Sequence, residues 1–242
     1  MSENSSKAND FFNPMQITDG EVNYLWSFIQ GGIMEASVWQ RLIRSWGFCE
    51  RHAWVTLSVE MAFRRSYLLG PTILYHSLVA FGLEALRSAF LGDHHAAASR
   101  LKTRGLCLVC EMNISSGGAR RRSQLDTGKK SENLRTFASG LESFWQQHTC
   151  PRCVPVSGGD LLCRRHLIDE IFRGVVIDWG AYCPVLTSVA ERISRYEQSF
   201  TWEHRGIAVT EDQASLLVAA GWCSGWQPLL VVMRSAMGTK SA

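Results

Sequence analysis

The sequence carries little excess charge and lacks the features of an export signal. Its formal net charge is only +3 over 242 residues, which by itself is too small to indicate nucleic-acid binding. The first ten residues, MSENSSKAND, are polar and contain none of the basic, apolar and small-residue sections of a signal peptide. We therefore expect a cytoplasmic protein. In that reducing compartment, eight cysteines are better interpreted as metal ligands or reactive thiols than as disulfides.

The sequence also lacks the alternating polar and apolar runs that predict β-strands, and it predicts an all-α fold. Apolar residues recur at helical spacing in most segments, and Thr18 and Thr210 each begin a capping-box sequence. Residues 214–233 contain no charge and are long enough to cross a bilayer. Glycines and Pro228 near the centre of this segment favour two short buried helices joined by a turn, so no membrane association is expected.

Composition shifts along the chain predict a single compact domain made of two helical halves. Each half contains an aromatic-rich helix, a Cys-x-x-His sequence and a long amphipathic helix, which is typical of a diverged repeat. The polar and basic stretch between the halves predicts a flexible loop. The expected divisions are a disordered tail (1–12), a first half (13–112), a basic loop (113–130) and a second half (131–242).

Six of the eight cysteines lie three positions from a second residue of a metal-ligand type. The four pairs are Cys49 with His52, Cys107 with Cys110, Cys150 with Cys153, and Cys163 with His166. A Cys-x-x-His sequence on the first turn of a helix places both side chains on one face. A Cys-x-x-Cys turn directs two sulfurs to one point, so one pair of each kind makes the tetrahedral Cys3His set that suits Zn²⁺.

Eight ligands of this kind fill two sites, but the spacing leaves the partners of each pair open. The shorter closed loop favours one site from the 150/153 and 163/166 pairs and another from the 49/52 and 107/110 pairs. A crossed arrangement, which joins 49/52 to 150/153 and 107/110 to 163/166, is also compatible with the sequence. An iron–sulfur cluster is a further alternative, whereas the strand–helix pattern of a thioredoxin-like redox site is absent.

Motifs of known zinc enzymes are missing from the chain. There is no His-Glu-x-x-His sequence and no His-x-Glu sequence, so neither the metalloprotease nor the deaminase pattern is present. Cys223 lies in GWCSG, whose letters fit a nucleophile elbow. A helical segment rather than a strand is predicted before it, so we interpret Cys223 mainly as a buried cysteine and keep it only as a candidate nucleophile.

The cysteine motifs resemble those of an uncharacterised bacterial family of helical zinc-binding proteins. Members of that family combine a CPxC motif with a GFCxxH motif, often twice. GFCERH (47–52) and LCRRH (162–166) are similar to the second motif, and CLVC (107–110) is similar to the first. The resemblance implies a helical zinc protein and no established activity.

This chain departs from the family pattern near its beginning. Where the resemblance leads one to expect a first CPxC motif, the sequence has NPMQ, residues 13–16, and neither Met15 nor Gln16 is a good zinc ligand. One possibility is that CPRC (150–153) replaces the lost donor pair. The other is that the site around Cys49 and His52 is incomplete, in which case Glu50 is a candidate base.

Two classes of function follow from these observations. Closed Cys3His sites are usually structural, which predicts an accessory or regulatory protein that acts by binding a protein partner or a small molecule. The alternative is a zinc-dependent enzyme of small-molecule metabolism with an open site near Cys49 and His52. Nucleic-acid binding through the basic loop is disfavoured by the low net charge.

Overall fold

The structure is a computed structural model that describes residues 15–32, 35–64, 67–112, 121–154, 159 and 161–234. These residues form helices and loops and contain no strand, so the predicted all-α fold is confirmed. The helices are α1 (Asp19–Gln30), α2 (Ala36–Arg44), α3 (Glu50–Arg64), α4 (Leu69–Phe90), α5 (His94–Leu101), α6 (Leu108–Glu111), α7 (Arg122–Gly128), α8 (Glu132–Gly140), α9 (Glu142–Trp145), α10 (Arg164–Phe172), α11 (Trp179–Gln198), α12 (Thr210–Ser224) and α13 (Gln227–Arg234).

The capping box predicted at the start of α1 is present. The Thr18 hydroxyl accepts a hydrogen bond from the amide of Glu21 at 3.2 Å, and the Glu21 carboxylate accepts one from the amide of Thr18 at 2.8 Å. These bonds satisfy two amides that the first turn leaves unpaired. Val22 and Leu25 are fully buried, and α1 contacts α3 along this face.

The box predicted at Thr210 is displaced by one residue. Thr210 is already the first residue of α12, and the Asp212 carboxylate accepts a hydrogen bond from the amide of Val209 at 3.2 Å. Asp212 also pairs with Arg195 at 2.9 Å, so an ion pair with α11 fixes the start of this helix. A local pattern of caps could not show that tertiary contact.

Two helices form the centre of the core. α3 contacts α1, α7, α8, α12 and α13, whereas α12 packs against both α4 and α11. Trp222 on α12 is 1% exposed, and a Cβ atom at Gly82 on α4 would lie only 2.3 Å from its ring. The Trp222 indole donates a hydrogen bond to the Tyr182 hydroxyl at 2.7 Å. The close approach of α4 and α12 therefore depends on a glycine facing a tryptophan.

The uncharged segment at residues 214–233 folds as predicted, into two helices with a turn at Gly225. One described helix, α4, is long and apolar enough to cross a membrane by length and composition, and half of its most apolar stretch is buried within the protein. A core helix passes the same test, and α4 contacts α5, α11 and α12.

The predicted basic loop differs from the structure in its second part. Residues 122–128 form α7, which contacts α1 and α3, and Leu125 is buried. A Cβ atom at Gly128 would lie 2.4 Å from the Val22 side chain, so the glycine allows close packing. The prediction of a flexible loop over this part was wrong, because one buried leucine and one glycine were enough to dock a short helix. Residues 113–120, like the predicted disordered tail at 1–12, lie outside the described residues.

Candidate metal centres

The first cluster of ligand-type side chains forms where two chain segments meet. Cys49 directly precedes α3, and His52 lies in its first turn. Cys107 is the N-cap residue of α6, and Cys110 lies within that helix. The three sulfurs and one imidazole nitrogen all lie within 4.8 Å of one another. Each ligand pair is therefore placed by the beginning of a helix, as the i, i+3 spacing predicts.

The distances in this cluster fit a tetrahedral Zn²⁺ ion. The sulfurs of Cys49 and Cys110 are 3.8 Å apart, far too distant for a disulfide. Nδ1 of His52 lies 3.3 Å from the sulfur of Cys49, 3.3 Å from that of Cys110 and 3.5 Å from that of Cys107. With Zn–S bonds of about 2.3 Å and Zn–N bonds of about 2.0 Å, tetrahedral geometry requires separations of about 3.8 Å and about 3.5 Å.

The second cluster has the same composition and nearly the same geometry. Cys150 and Cys153 lie in a tight turn in which the Cys153 amide donates to the Cys150 carbonyl at 3.0 Å. Cys163 directly precedes α10, and His166 lies in its first turn. Nδ1 of His166 is 3.2–3.4 Å from all three sulfurs, and the sulfurs of Cys153 and Cys163 are 3.8 Å apart.

The structure therefore brings all eight predicted ligand residues together in two sets of four. It shows the arrangement with the shorter closed loop, in which the 150/153 pair faces 163/166 and the 49/52 pair faces 107/110. The crossed arrangement is not the one observed. Neither residue of NPMQ that the structure describes belongs to a set: Met15 is buried, and the Gln16 carbonyl accepts a hydrogen bond from Arg51 at 2.6 Å.

The electrostatics of the first cluster favour a bound cation. Hydrogen bonds from Cys49 and His52 lower the pKa of Cys107 to about 3, even though burial opposes the shift. The hydrogen bond to Cys107 and burial raise the pKa of Cys49, and burial with the Cys107 charge raises the pKa of Cys110. These shifts describe one thiolate beside two thiols, and a divalent cation at the centre would compensate the repulsion that opposes ionisation of the other two.

Glu21 positions the histidine of the first cluster. Nε2 of His52 donates to Oε1 of Glu21 at 2.9 Å, which leaves Nδ1 free to face the sulfurs. Burial opposes ionisation of Glu21, but hydrogen bonds from His52 and Arg51 hold the pKa of its carboxyl well below the usual range. A carboxylate on the second nitrogen fixes the tautomer and raises the basicity of a metal-binding imidazole. The sequence marked Glu21 only as a helix cap.

Among the described residues, no carboxylate contacts the histidine of the second cluster as Glu21 contacts His52. Within the described residues, the hydrogen-bonding contacts of the His166 ring are those of Nδ1 with the three sulfurs. Glu170, one turn further along α10, instead pairs with Arg152 at 2.7 Å. The two sets therefore share their ligands but differ in what orients the imidazole.

Neither candidate catalytic residue is in a position typical of a reactive group. Glu50 accepts a hydrogen bond from the backbone amide of Gln227 at 3.1 Å, at the start of α13, and its second oxygen lies 3.4 Å from Arg165. Cys223 is fully buried in α12, and burial raises the pKa of its thiol to about 12. Glu50 thus caps a helix and pairs across the molecule, and Cys223 is held as a neutral thiol inside the core.

The turn between α12 and α13 joins the segments that carry the two clusters. The Gln227 side-chain amide donates to the Cys153 carbonyl at 2.6 Å, while its backbone amide bonds Glu50, the residue after Cys49. The Trp54 indole donates to the Gly225 carbonyl at 2.8 Å. No sequence motif marks Gln227 or Gly225, the two residues of this turn that contact Cys153, Glu50 and Trp54.

Buried Arg164 makes a second junction, which joins the start of α10 to α12 and to the end of α5. The residue follows Cys163 and is 5% exposed, and its guanidinium donates to the carbonyls of Cys223 at 3.0 Å and Leu101 at 2.6 Å. The guanidinium also lies over the Trp46 ring, 4.9 Å from its centroid. Burial lowers the pKa of Arg164 to about 10, so the side chain remains cationic at neutral pH.

The aromatic residues around GWCSG do not form an open pocket. Trp222 and Trp226 are both buried, and Trp226 packs against Trp54 and Trp145. The cavities formed by described residues include five of about 120 to 440 Å³, and none of these five is lined by a Cys or His side chain of the two clusters.

Comparisons with protein-family models, with curated proteins and with solved structures gave no match. The resemblance to the bacterial zinc-binding family therefore stays a prediction based on the motifs.

Proposed function

We propose that the chain holds two Zn²⁺ ions, one in each Cys3His set, and that both ions stabilise the fold. The observation that carries this proposal is the closed, four-donor geometry of both sets. In the first set, Cys107 and Cys110 are the donor pair that completes the site with Cys49 and His52. The first set therefore needs no ligand from residues 13–16. Neither set then needs a water or substrate to complete four-coordination, which is the usual difference between structural and catalytic zinc sites.

The position of the sets supports a binding protein rather than a zinc enzyme. Zinc chemistry on a substrate requires an open coordination position that faces a cavity. The five cavities described above are lined by residues outside both sets. We therefore propose an accessory or regulatory protein whose zinc ions hold the frame on which a binding surface is carried.

Metal content tests this proposal directly. We expect native mass spectrometry and elemental analysis of the purified chain to give two zinc ions per chain. Cys163→Ser removes a ligand of the second set and should leave one ion. Cys223→Ser is the matched control, because it changes a buried cysteine outside both sets and should leave two.

A second measurement separates a structural from a catalytic metal. Removing zinc with a chelator should lower the melting temperature and the helical signal, because the binding free energy of structural zinc is folding free energy of about 10 kcal/mol or more. A chain that contains iron and absorbs visible light would contradict the zinc assignment. A chain that keeps its melting temperature after losing both ions would contradict the structural role.

A further inference from the structure

A cavity of about 220 Å³ lies between the end of α2, the middle of α4 and the segment that follows α5. Its inner wall is apolar and includes the buried side chains of Trp46, Leu78 and Ala85. Phe81 is 50% exposed and also lines the cavity, so part of an aromatic side chain is accessible to a ligand. The volume lies below the roughly 300–1,000 Å³ of drug-sized sites, so the cavity suits a molecule with a single ring.

Four cations surround this apolar wall. They are Arg44, Arg100, Lys102 and Arg104, and no Asp or Glu lines the cavity. Within the described residues none of the four forms an ion pair, although the Lys102 ammonium lies 4.3 Å from the centroid of the Phe172 ring, beside the cavity. The Arg100 guanidinium reaches only the backbone carbonyl of Glu84, at 3.4 Å. Four like charges around one small concavity create a positive potential that favours an anion.

Helix-end electrostatics account for three of these four cations but not for Arg104. Arg44 and Arg100 lie in the last turns of α2 and α5, where a positive side chain is favourable. Lys102 is the C-cap residue of α5, where the same effect applies, and Arg104 lies beyond the end of the helix. The convergence of all four residues on an apolar cavity is the feature that points to a ligand.

The walls of the cavity are tied together by backbone contacts. The Arg104 amide donates to the Arg44 carbonyl at 2.8 Å, and the Trp46 indole donates to the Lys102 carbonyl at 3.2 Å. The two segments continue directly into Cys49 and Cys107 of the first metal cluster. The cations are thus carried on a frame that is already formed, which lowers the entropic cost of binding a ligand.

We propose that this cavity binds a small organic phosphate: one planar ring that carries a phosphomonoester group. The phosphate would meet the rim of arginines and Lys102, because guanidinium forks match phosphate oxygens and four cations suit a dianion better than a carboxylate. The ring would lie against Phe81 and the apolar wall. The inference deepens the proposed binding function by naming its ligand class.

Calorimetric titration with three simple probes tests the inference on the zinc-loaded full-length chain. Phenyl phosphate carries both the ring and the dianion, inorganic phosphate carries only the charge, and phenol carries only the ring. We expect phenyl phosphate to bind at least about tenfold more tightly than inorganic phosphate or phenol, since each of those two probes can make only one of the two contacts. Benzoate should bind more weakly than phenyl phosphate, because it is a monoanion.

Matched variants locate the site. Lys102→Gln combined with Arg104→Gln should weaken phenyl phosphate binding at least about tenfold, whereas Arg87→Gln removes an exposed cation of α4 that does not line the cavity and should have no effect. Phe81→Ala should weaken phenyl phosphate but not inorganic phosphate. Phe90→Ala, an exposed phenylalanine of the same helix outside this cavity, is its control.

The outcomes that overturn the inference are distinct from failure of the zinc proposal, because zinc content is measured on the same samples. If a chain with two zinc ions binds no phenyl phosphate, the phosphate site is wrong and the metal proposal stands. The phosphate site would also be refuted if the Lys102→Gln/Arg104→Gln variant bound phenyl phosphate as tightly as the parent chain. Tighter binding of a single-stranded oligonucleotide than of phenyl phosphate would show a nucleic-acid surface instead.

Discussion

Oε1 of Glu21 lies 2.9 Å from Nε2 of His52, while Nδ1 of the same ring faces three cysteine sulfurs. One carboxylate thus caps α1 and orients a ligand on α3. His166 has the same sulfur neighbours, but within the described residues no carboxylate contacts its ring. The two candidate zinc sites should therefore differ in how strongly they hold the ion.

Glu21→Gln should weaken zinc binding at the first site by about tenfold or more and leave the second unchanged, because partners of this kind contribute about 10–100-fold to metal affinity. Competition with a chromophoric chelator measures the two affinities. Glu170→Gln is the control, since Glu170 lies near the second cluster but pairs with Arg152. Equal weakening of both sites by Glu21→Gln would show that Glu21 acts only through the fold.

Gly82→Ala should destabilise the protein by about 1–3 kcal/mol, because the new Cβ would overlap the Trp222 ring. Gly140→Ala is the matched control, as a Cβ there has no neighbour within 4 Å. It should be neutral or stabilising by up to about 1 kcal/mol. Urea unfolding of both variants gives the comparison. If Gly82→Ala matched Gly140→Ala, the contact between α4 and α12 would be looser than described.

Glu60 should make stability depend on pH. Burial raises its pKa from 4.5 to about 8, although Arg64 opposes the shift, so the folded state binds the proton more tightly than the unfolded state. The free energy of unfolding should therefore fall as the pH rises toward 8, by about 1.4 kcal/mol per pH unit from this group, and then level off. Glu60→Gln should remove this fall in the free energy of unfolding, because an amide does not ionise.

The Glu60→Gln variant should exceed the parent in unfolding free energy by a margin that widens from pH 6 to pH 8. Denaturant titrations at each pH, in zinc-saturated buffer, measure that margin. Glu142→Gln, an exposed change, should leave the profile unaltered. A constant difference between the parent and Glu60→Gln across this range would mean that Glu60 has the same pKa in both states.

Native alkylation should distinguish the two cysteines outside the clusters. Cys183 is partly exposed, whereas Cys223 is fully buried with a pKa raised to about 12 by burial. Iodoacetamide applied to the zinc-loaded chain should modify Cys183 much faster, because only an accessible thiolate reacts. Peptide mass spectrometry gives both rates, and Cys183→Ser checks the assignment. Rapid labelling of Cys223 would contradict this prediction and would support Cys223 as a candidate nucleophile.

The sequence predicted the ligands better than their surroundings. The four ligand pairs could be predicted because the i, i+3 spacing is a local property of the sequence. At the start of a helix, this spacing places both side chains of a pair on the same face. The choice between the two pairings is set by how helices pack over 50 or more residues, which no local pattern contains. Loop length nevertheless favoured the arrangement that the structure shows.

The residues that join the clusters could not be predicted for the same reason. Gln227 has no motif, and its contacts with Cys153 and Glu50 depend on where the turn after α12 falls. Nothing in the sequence distinguishes Arg164 from the other arginines, whereas in the structure it is buried and donates to the carbonyls of Leu101 and Cys223. Trp222 and Trp226 flank the turn in GWCSG, and both lie in the core because helices distant in sequence pack over them.

The junction at Gln227 also sets an order of events during protein synthesis. The ligands of the first cluster end at Cys110 and those of the second at His166, so a nascent chain has all eight before Gln227 is translated. At about 5–20 residues per second, the ribosome needs roughly 6–23 s to advance from Cys110 to Gln227. Each metal centre can therefore assemble while still tethered to the ribosome, and the contact that locks them together comes afterwards. Arrest of translation before Gln227 should give chains that carry metal in two centres not yet joined at this turn.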